Sequence, residues 1–256
     1  MKKLLLYFLI FLLLLGTGSL AFGFWNGREL RKWATAAAET KSRHNISAKE
    51  KNLEERFGRS WNSANELKSQ SESFVADLDK VAGEIEAASG EIKNLSGPRS
   101  VQTAKNDLEN YHAQCAGQVR NLASVVTYMN QLFEVAIIFD RIEGDTTLED
   151  IQSMIGEAKE KSTGISSDIL PEELKEQGSG LRSATENFLN VMEQTASGKI
   201  ESNEQLNASY ADFSAMESEF FAEAKKYIDS FPNLEILEKK IDAELLALGK
   251  IKFSLQ

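Results

Sequence analysis

The opening of the chain and everything after it follow different rules. MKKLLLYFLIFLLLLGTGSLAFGFW holds two lysines and then no charged side chain from Leu4 to Trp25, whereas the chain beyond Gly27 is polar with periodic apolar positions. Over residues 46–95 the apolar positions recur every seven residues. Ile46, Leu53, Leu67, Phe74, Val81, Ala88 and Leu95 fall on one line, broken only at Ser60. Phe57, Ala64, Leu78, Ile85 and Ile92 form a second line, interrupted by Glu50 and Ser71. Such a pattern predicts a long helix with a coiled-coil-like seam. The seam stops at Ser96-Gly97-Pro98, where glycine offers a left-handed cap and proline cannot continue a helix.

A second seam opens at Val101 and runs through Leu108, Cys115, Leu122, Met129 and Ala136, paired with Ala104, Tyr111, Val125, Leu132 and Phe139; only Gln118 departs from it. So short a connection between two long helices predicts an antiparallel hairpin over 40–142, about 65 to 75 Å long at 1.5 Å per residue. Shorter helices are expected within 146–250. Thr146-Thr147-Leu148-Glu149 reads as a capping box, and Pro171-Glu172-Glu173 as the first turn of a helix carried by Leu174, Leu181, Ala184, Phe188 and Val191 and ended by Gly198. Ser202-Asn203-Glu204-Gln205 is a second capping box, opening a helix whose apolar face is Leu206, Phe213, Met216, Phe220 and Tyr227. Phe231-Pro232 breaks the chain before a last helix with Leu234, Leu237, Ile241, Leu245 and Leu248. Gly178-Ser179-Gly180 reads as a local kink, since the apolar period runs through it.

The expected fold is therefore all-α: an N-terminal segment, 1–27, and an elongated antiparallel helical bundle, 28–256, built on the long hairpin. Composition agrees, with 3 prolines and 16 glycines in 256 residues. The first segment reads as a signal-anchor: its 22 uncharged residues would span about 33 Å as a helix, with Phe22, Phe24 and Trp25 where an interfacial aromatic belt belongs. The alternative is a cleaved signal peptide, cut after Ala21 with Ser19 at −3, releasing a soluble protein. Lys2 and Lys3 favour export of the bulk of the chain; Arg28, Arg31, Lys32, Lys41 and Arg43 argue for a bundle facing the cytoplasm. In layout, with Tyr227 and Phe231-Pro232 near the end, the chain resembles the LemA-type membrane proteins, a likeness that carries no function.

Charge and chemistry narrow the picture further. A net charge of −10 with no isolated basic cluster excludes nucleic-acid binding. The single cysteine, Cys115, has no intramolecular partner and lies on the apolar seam, where a thiol serves as a small core group rather than a nucleophile. Glu109 and His112 have the i, i+3 spacing of di-iron bundle ligands, but the second Glu-x-x-His is missing because the other histidine, His44, follows Lys41. These two are the weak metal candidates, expected to be surface residues. Asp140, Glu143, Asp145, Glu149 and Asp150 lack the spacing of a calcium loop and read as caps. No phosphate-binding glycine motif occurs, and the Asn-x-Ser matches at Asn45, Asn94 and Asn207 read as chance.

We expect no catalytic, cofactor-binding or metal-binding residue, and no enzyme activity. The reading that follows is a membrane-anchored, extracytoplasmic scaffold or tether of the cell envelope, with the membrane and unidentified proteins as partners. A ligand-binding or sensory module, with an apolar inter-helix pocket at Phe213, Phe220 and Tyr227, is the alternative.

Overall fold

The computed structural model describes residues 2–44, 64–142, 145–199, 203–252 and 254. They fold as helices, and no strand occurs among the described residues. The helices are α1 (Lys2–His44), α2 (Ala64–Asn94), α3 (Gln102–Phe139), α4 (Leu148–Thr163), α5 (Lys175–Ala196), α6 (Asn203–Asp229) and α7 (Leu234–Lys250). Ile46, Leu53, Phe57 and Ser60 of the first seam, Glu143 and Ser202 lie outside the described residues, as do the side chains of Ala64, Leu67 and residues 4–21. By length and composition, one helix among the described residues is able to cross a membrane, Arg99–Phe139, and it is internal rather than N-terminal.

Contacts gather the chain into two units. The first comprises Met1–Glu50, Ala82–Ala116 and Asn233–Gln256. Its framework is the inner face of α1, where Asn26, Leu30, Trp33, Ala34, Ala37 and Thr40 recur at three- and four-residue steps and are all buried. This face packs on α7, whose Ile241 and Leu245 are buried in turn. Ile85, Ala88 and Ile92 of α2 and Leu108, Tyr111 and Cys115 of α3 complete the core. Lys41 Nζ donates to Glu238 and Asp242 at 2.8 Å each. Burial works against the charge on Lys41, but the hydrogen bonds from Asp242 and Glu238 outweigh it and hold the ammonium pKa above its ordinary value. Past α7 the chain turns back along α1: Arg31 donates to the Ile251 carbonyl, Ser254 N–H to Gly23, and Asn26 to the Ser254 carbonyl.

The connection at Ser96-Gly97-Pro98 breaks the helix as the sequence predicts, for a different reason. Gly97 does not take up a left-handed conformation. Instead the buried indole of Trp33 lies against it, and a Cβ there would stand 2.8 Å from Trp33 Cδ1. Lys105 then closes the end of α2 by donating to the Lys93 and Leu95 carbonyls, a cation on the orphan acceptors of a helix C-terminus.

The second unit comprises Lys51–Val81 and Gly117–Pro232. Within it α2 and α3 run antiparallel: Lys68 reaches Glu134 at 3.5 Å, Ser71 donates to Asn130, and Phe74 and Leu78 cluster with Ala123 and Val126. The predicted seam of α3 holds here only in part. On the seam Val125 is buried, Leu122, Met129, Leu132 and Phe139 are half-buried and Ala136 is exposed, while Tyr128, Val135 and Ile138, off the seam, turn with Val125 into a second core. An α-helix drifts about 20° per heptad against a strict seven-residue repeat, and α4 to α6 supply the partner for the face that rotates inward. That core joins Ala158 of α4, Leu181 and Leu189 of α5, and Phe220 and Ala224 of α6.

Local signals placed the starts of these helices to within a few residues. The capping box of α4 is formed by Thr147 and Asp150, one position later than expected. Pro171 leads into a short 3-10 turn, Glu172–Leu174, before α5 begins. Asn233 caps α7, accepting from Glu235 N–H at 2.9 Å. Gly178-Ser179-Gly180 interrupts nothing: α5 runs through it unbroken.

Candidate functional site

The concavity with the most distinctive chemistry lies in the second unit, where α3, α5 and α6 meet. Its volume is about 290 Å³, at the lower end of small-molecule sites. Helical spacing builds each wall: Leu132, Phe133 and Phe139 come from α3, Phe188 from α5, and Phe213 and Phe221 from α6, eight residues apart on one face. Phe188 and Phe213 stack at 5.8 Å between centroids and 16° between planes. Two polar side chains interrupt this wall. Thr185 is buried and donates its hydroxyl to the Leu181 carbonyl at 2.8 Å, and Glu217, half-buried, lies between Phe213 and Phe221 on α6. Ala136 and Phe221 are exposed, so the cavity opens to the surface on their side.

Of the three residues expected to form an apolar pocket, Phe213 lines this cavity. Phe220 is completely buried in the adjoining core, 5.0 Å from the Tyr128 ring. Tyr227 turns elsewhere, its hydroxyl accepting from Asn121 at 2.7 Å. Sequence reasoning missed Glu217, Thr185 and the phenylalanines of α3. The spacing Phe213, Glu217, Phe221 was visible as one helix face, but which helices would wall it was not.

The metal candidates are not brought together with others. His112 is fully buried, not at the surface: its Nδ1–H donates to the Leu108 carbonyl at 2.7 Å, and Nε2 is buried without a partner. Burial pushes the imidazole pKa down; the bond to Leu108 opposes this, and His44 and Lys41 add to it. Glu109, one turn back, is half-buried. No group of three or more His, Cys, Asp or Glu side chains able to hold a metal occurs among the described residues. Cys115 is a buried thiol. In the acidic stretch Asp150 has a structural task, its carboxyl held below the usual range by the hydroxyl and then the backbone N–H of Thr147, while Asp140, Asp145 and Glu149 are exposed.

A wider depression of about 940 Å³ lies between α1 and α7 in the first unit. Its charged centre is Lys41 with Glu238 and Asp242, already satisfied by one another. Comparison with protein-family models, curated proteins and solved structures gives no match for the chain.

Proposed function

We propose that the protein is a membrane-anchored helical interaction protein, held in the bilayer by its N-terminal segment with its helical units on the extracytoplasmic side. The observation that carries this reading is the continuity of α1. One helix of 43 residues contains both the uncharged segment and the face that packs into the first unit through Leu30, Trp33 and Ala37. An anchor of this kind has no hinge between bilayer and body, so it would set the angle and height at which the body stands. Where the uncharged segment ends, Phe22, Phe24 and Trp25 are 51%, 60% and 58% exposed. Water gains nothing from three large aromatics side by side, whereas the headgroup layer favours them. Arg28, Arg31 and Lys32 then border a shallow hollow one turn further on, within reach of lipid phosphates.

The test joins two measurements on the full chain: a C-terminal reporter active only outside the cytoplasm, and the intact mass of the purified protein. The expected outcome is an active reporter and a mass beginning at Met1. A mass beginning at Phe22 overturns the anchor, and an inactive reporter on stably expressed protein overturns the orientation.

A second reading, a ligand-binding helical module, is favoured by one observation: the phenylalanine-lined cavity between α3, α5 and α6. The two are compatible, since an anchored body can also carry a ligand.

A further inference from the structure

We propose that the α3–α5–α6 cavity binds a small cationic aromatic molecule, a two-ring aromatic amine in size and charge, with Glu217 as its counter-ion. This rests on the ligand-binding reading and specifies its chemistry.

Size comes first. An apolar cavity of about 150 Å³ takes one benzene ring, and the space here is about 290 Å³, enough for two fused rings. Shape follows from the lining, where the stacked pair Phe188 and Phe213 presents flat aromatic surface and Phe133 and Phe139 face it from α3. Flat apolar guests match such walls through offset or edge-on ring contacts.

Charge comes from Glu217. It is half-buried in a phenylalanine wall and makes no ion pair among the described residues. Cations on the same helices are engaged elsewhere: Arg182 with Glu186 on α5, Lys226 with Glu223 and Lys225 with Asp229 on α6. Its carboxylate, set in an apolar wall, has its charge balanced by solvent alone, and an ammonium group on the guest supplies a direct counter-charge. The same ammonium lies where the faces of Phe213 and Phe221, one turn to either side, can attract it. Thr185 adds to the preference, because its hydroxyl proton is already given to Leu181 and only acceptor capacity remains. A guest bringing a carboxylate would meet Glu217 as a like charge.

The experiment uses the full chain in phosphatidylcholine nanodiscs, with empty nanodiscs subtracted. Three probes sharing one ring system are titrated by equilibrium dialysis: 1-naphthylmethylamine, 1-naphthalenemethanol and 1-naphthoate. Expected is one amine per chain, bound at least about tenfold more tightly than the alcohol, with naphthoate weakest. Glu217→Gln should bring the amine to within about threefold of the alcohol. Ala136→Phe, at an exposed rim position where the larger side chain can be accommodated, should abolish binding of all three while leaving the helical circular dichroism unchanged. An amine preference that survives Glu217→Gln overturns the inference, as does amine binding that survives Ala136→Phe in folded protein. If the alcohol binds as tightly as the amine and Ala136→Phe removes both, the cationic specificity falls while the apolar site stands. If none of the probes binds the folded native chain, both fall.

Discussion

Gly178 has no room for a methyl group. A Cβ there would overlap Leu170 Cδ1 and lie 3.5 Å from Tyr128 Cζ, and the Tyr128 hydroxyl donates to the Gly178 carbonyl at 2.6 Å. Two effects oppose each other in Gly178→Ala. Helix propensity favours alanine by about 1 kcal/mol, while overpacking a filled core costs about 1–3 kcal/mol. Because Leu170 and Tyr128 are both buried and leave little room to move, the cost should win: the urea midpoint falls with the slope unchanged, and a raised midpoint would show the contact to be soft. His112 gives a pH-dependent test. Its pKa lies below the ordinary histidine value of 6.5 in the folded chain, so the unfolded chain binds the proton more readily. The stability at stake is fully present above pH 6.5 and is lost as the pH falls from there through the folded pKa. His112→Leu should therefore lose less melting temperature between pH 7 and pH 5 than the native chain; equal losses would assign the pH dependence to other groups.

At the scale of elements, the caps and breaks were legible and the facing of long helices was legible only in part. Thr147 and Asp150 exchange side-chain and backbone hydrogen bonds at the start of α4, so Thr147→Ala should cost about 1 kcal/mol in a denaturant melt. If it costs nothing, the box is too exposed to matter. Local chemistry gave the break at Ser96-Gly97-Pro98 and the restart after Phe231-Pro232, because proline and small polar residues act on their own neighbours. The seam of α3 was fully legible as far as Cys115, where Val101, Ala104, Leu108 and Tyr111 are all buried, and again at Val125. Beyond that a repeat extrapolated from one face could not anticipate a second face, which depends on helices far along the chain. His112 was misjudged for the same reason: it lies off the seam, next to Tyr111, on a flank that other helices of its unit cover.

For the molecule as a whole, the first unit draws on three separated stretches of sequence, and its contacts span great distances along the chain. Lys41 pairs with Glu238 and Asp242, and Asn26 reaches Ser254. Because α7 covers α1, Ile241→Ala should lower stability by about 2–5 kcal/mol and raise amide hydrogen exchange in the inner face of α1 as well as in α7. Faster exchange confined to α7 would mean that α1 is held by α2 and α3 alone. This closure was not visible in the sequence, and of the expected apolar pocket only Phe213 was placed, since both require knowing which amphipathic faces meet. What was visible was each face alone: Leu237, Ile241, Leu245 and Leu248 on α7, Phe213 on α6.

That closure orders events during synthesis. Most of the second unit lies in one stretch, Gly117–Pro232, whereas the inner face of α1 waits for residues 233–254, which are made after that stretch. Until they arrive, Leu30, Trp33 and Ala37 lack part of their cover, although they are made before α2 to α7. Helix α1 is thus translated ahead of α2 to α7 yet covered only after α7 is made, and a nascent chain stalled before α7 would present an uncovered apolar stripe, a ready target for holding chaperones or quality-control proteases.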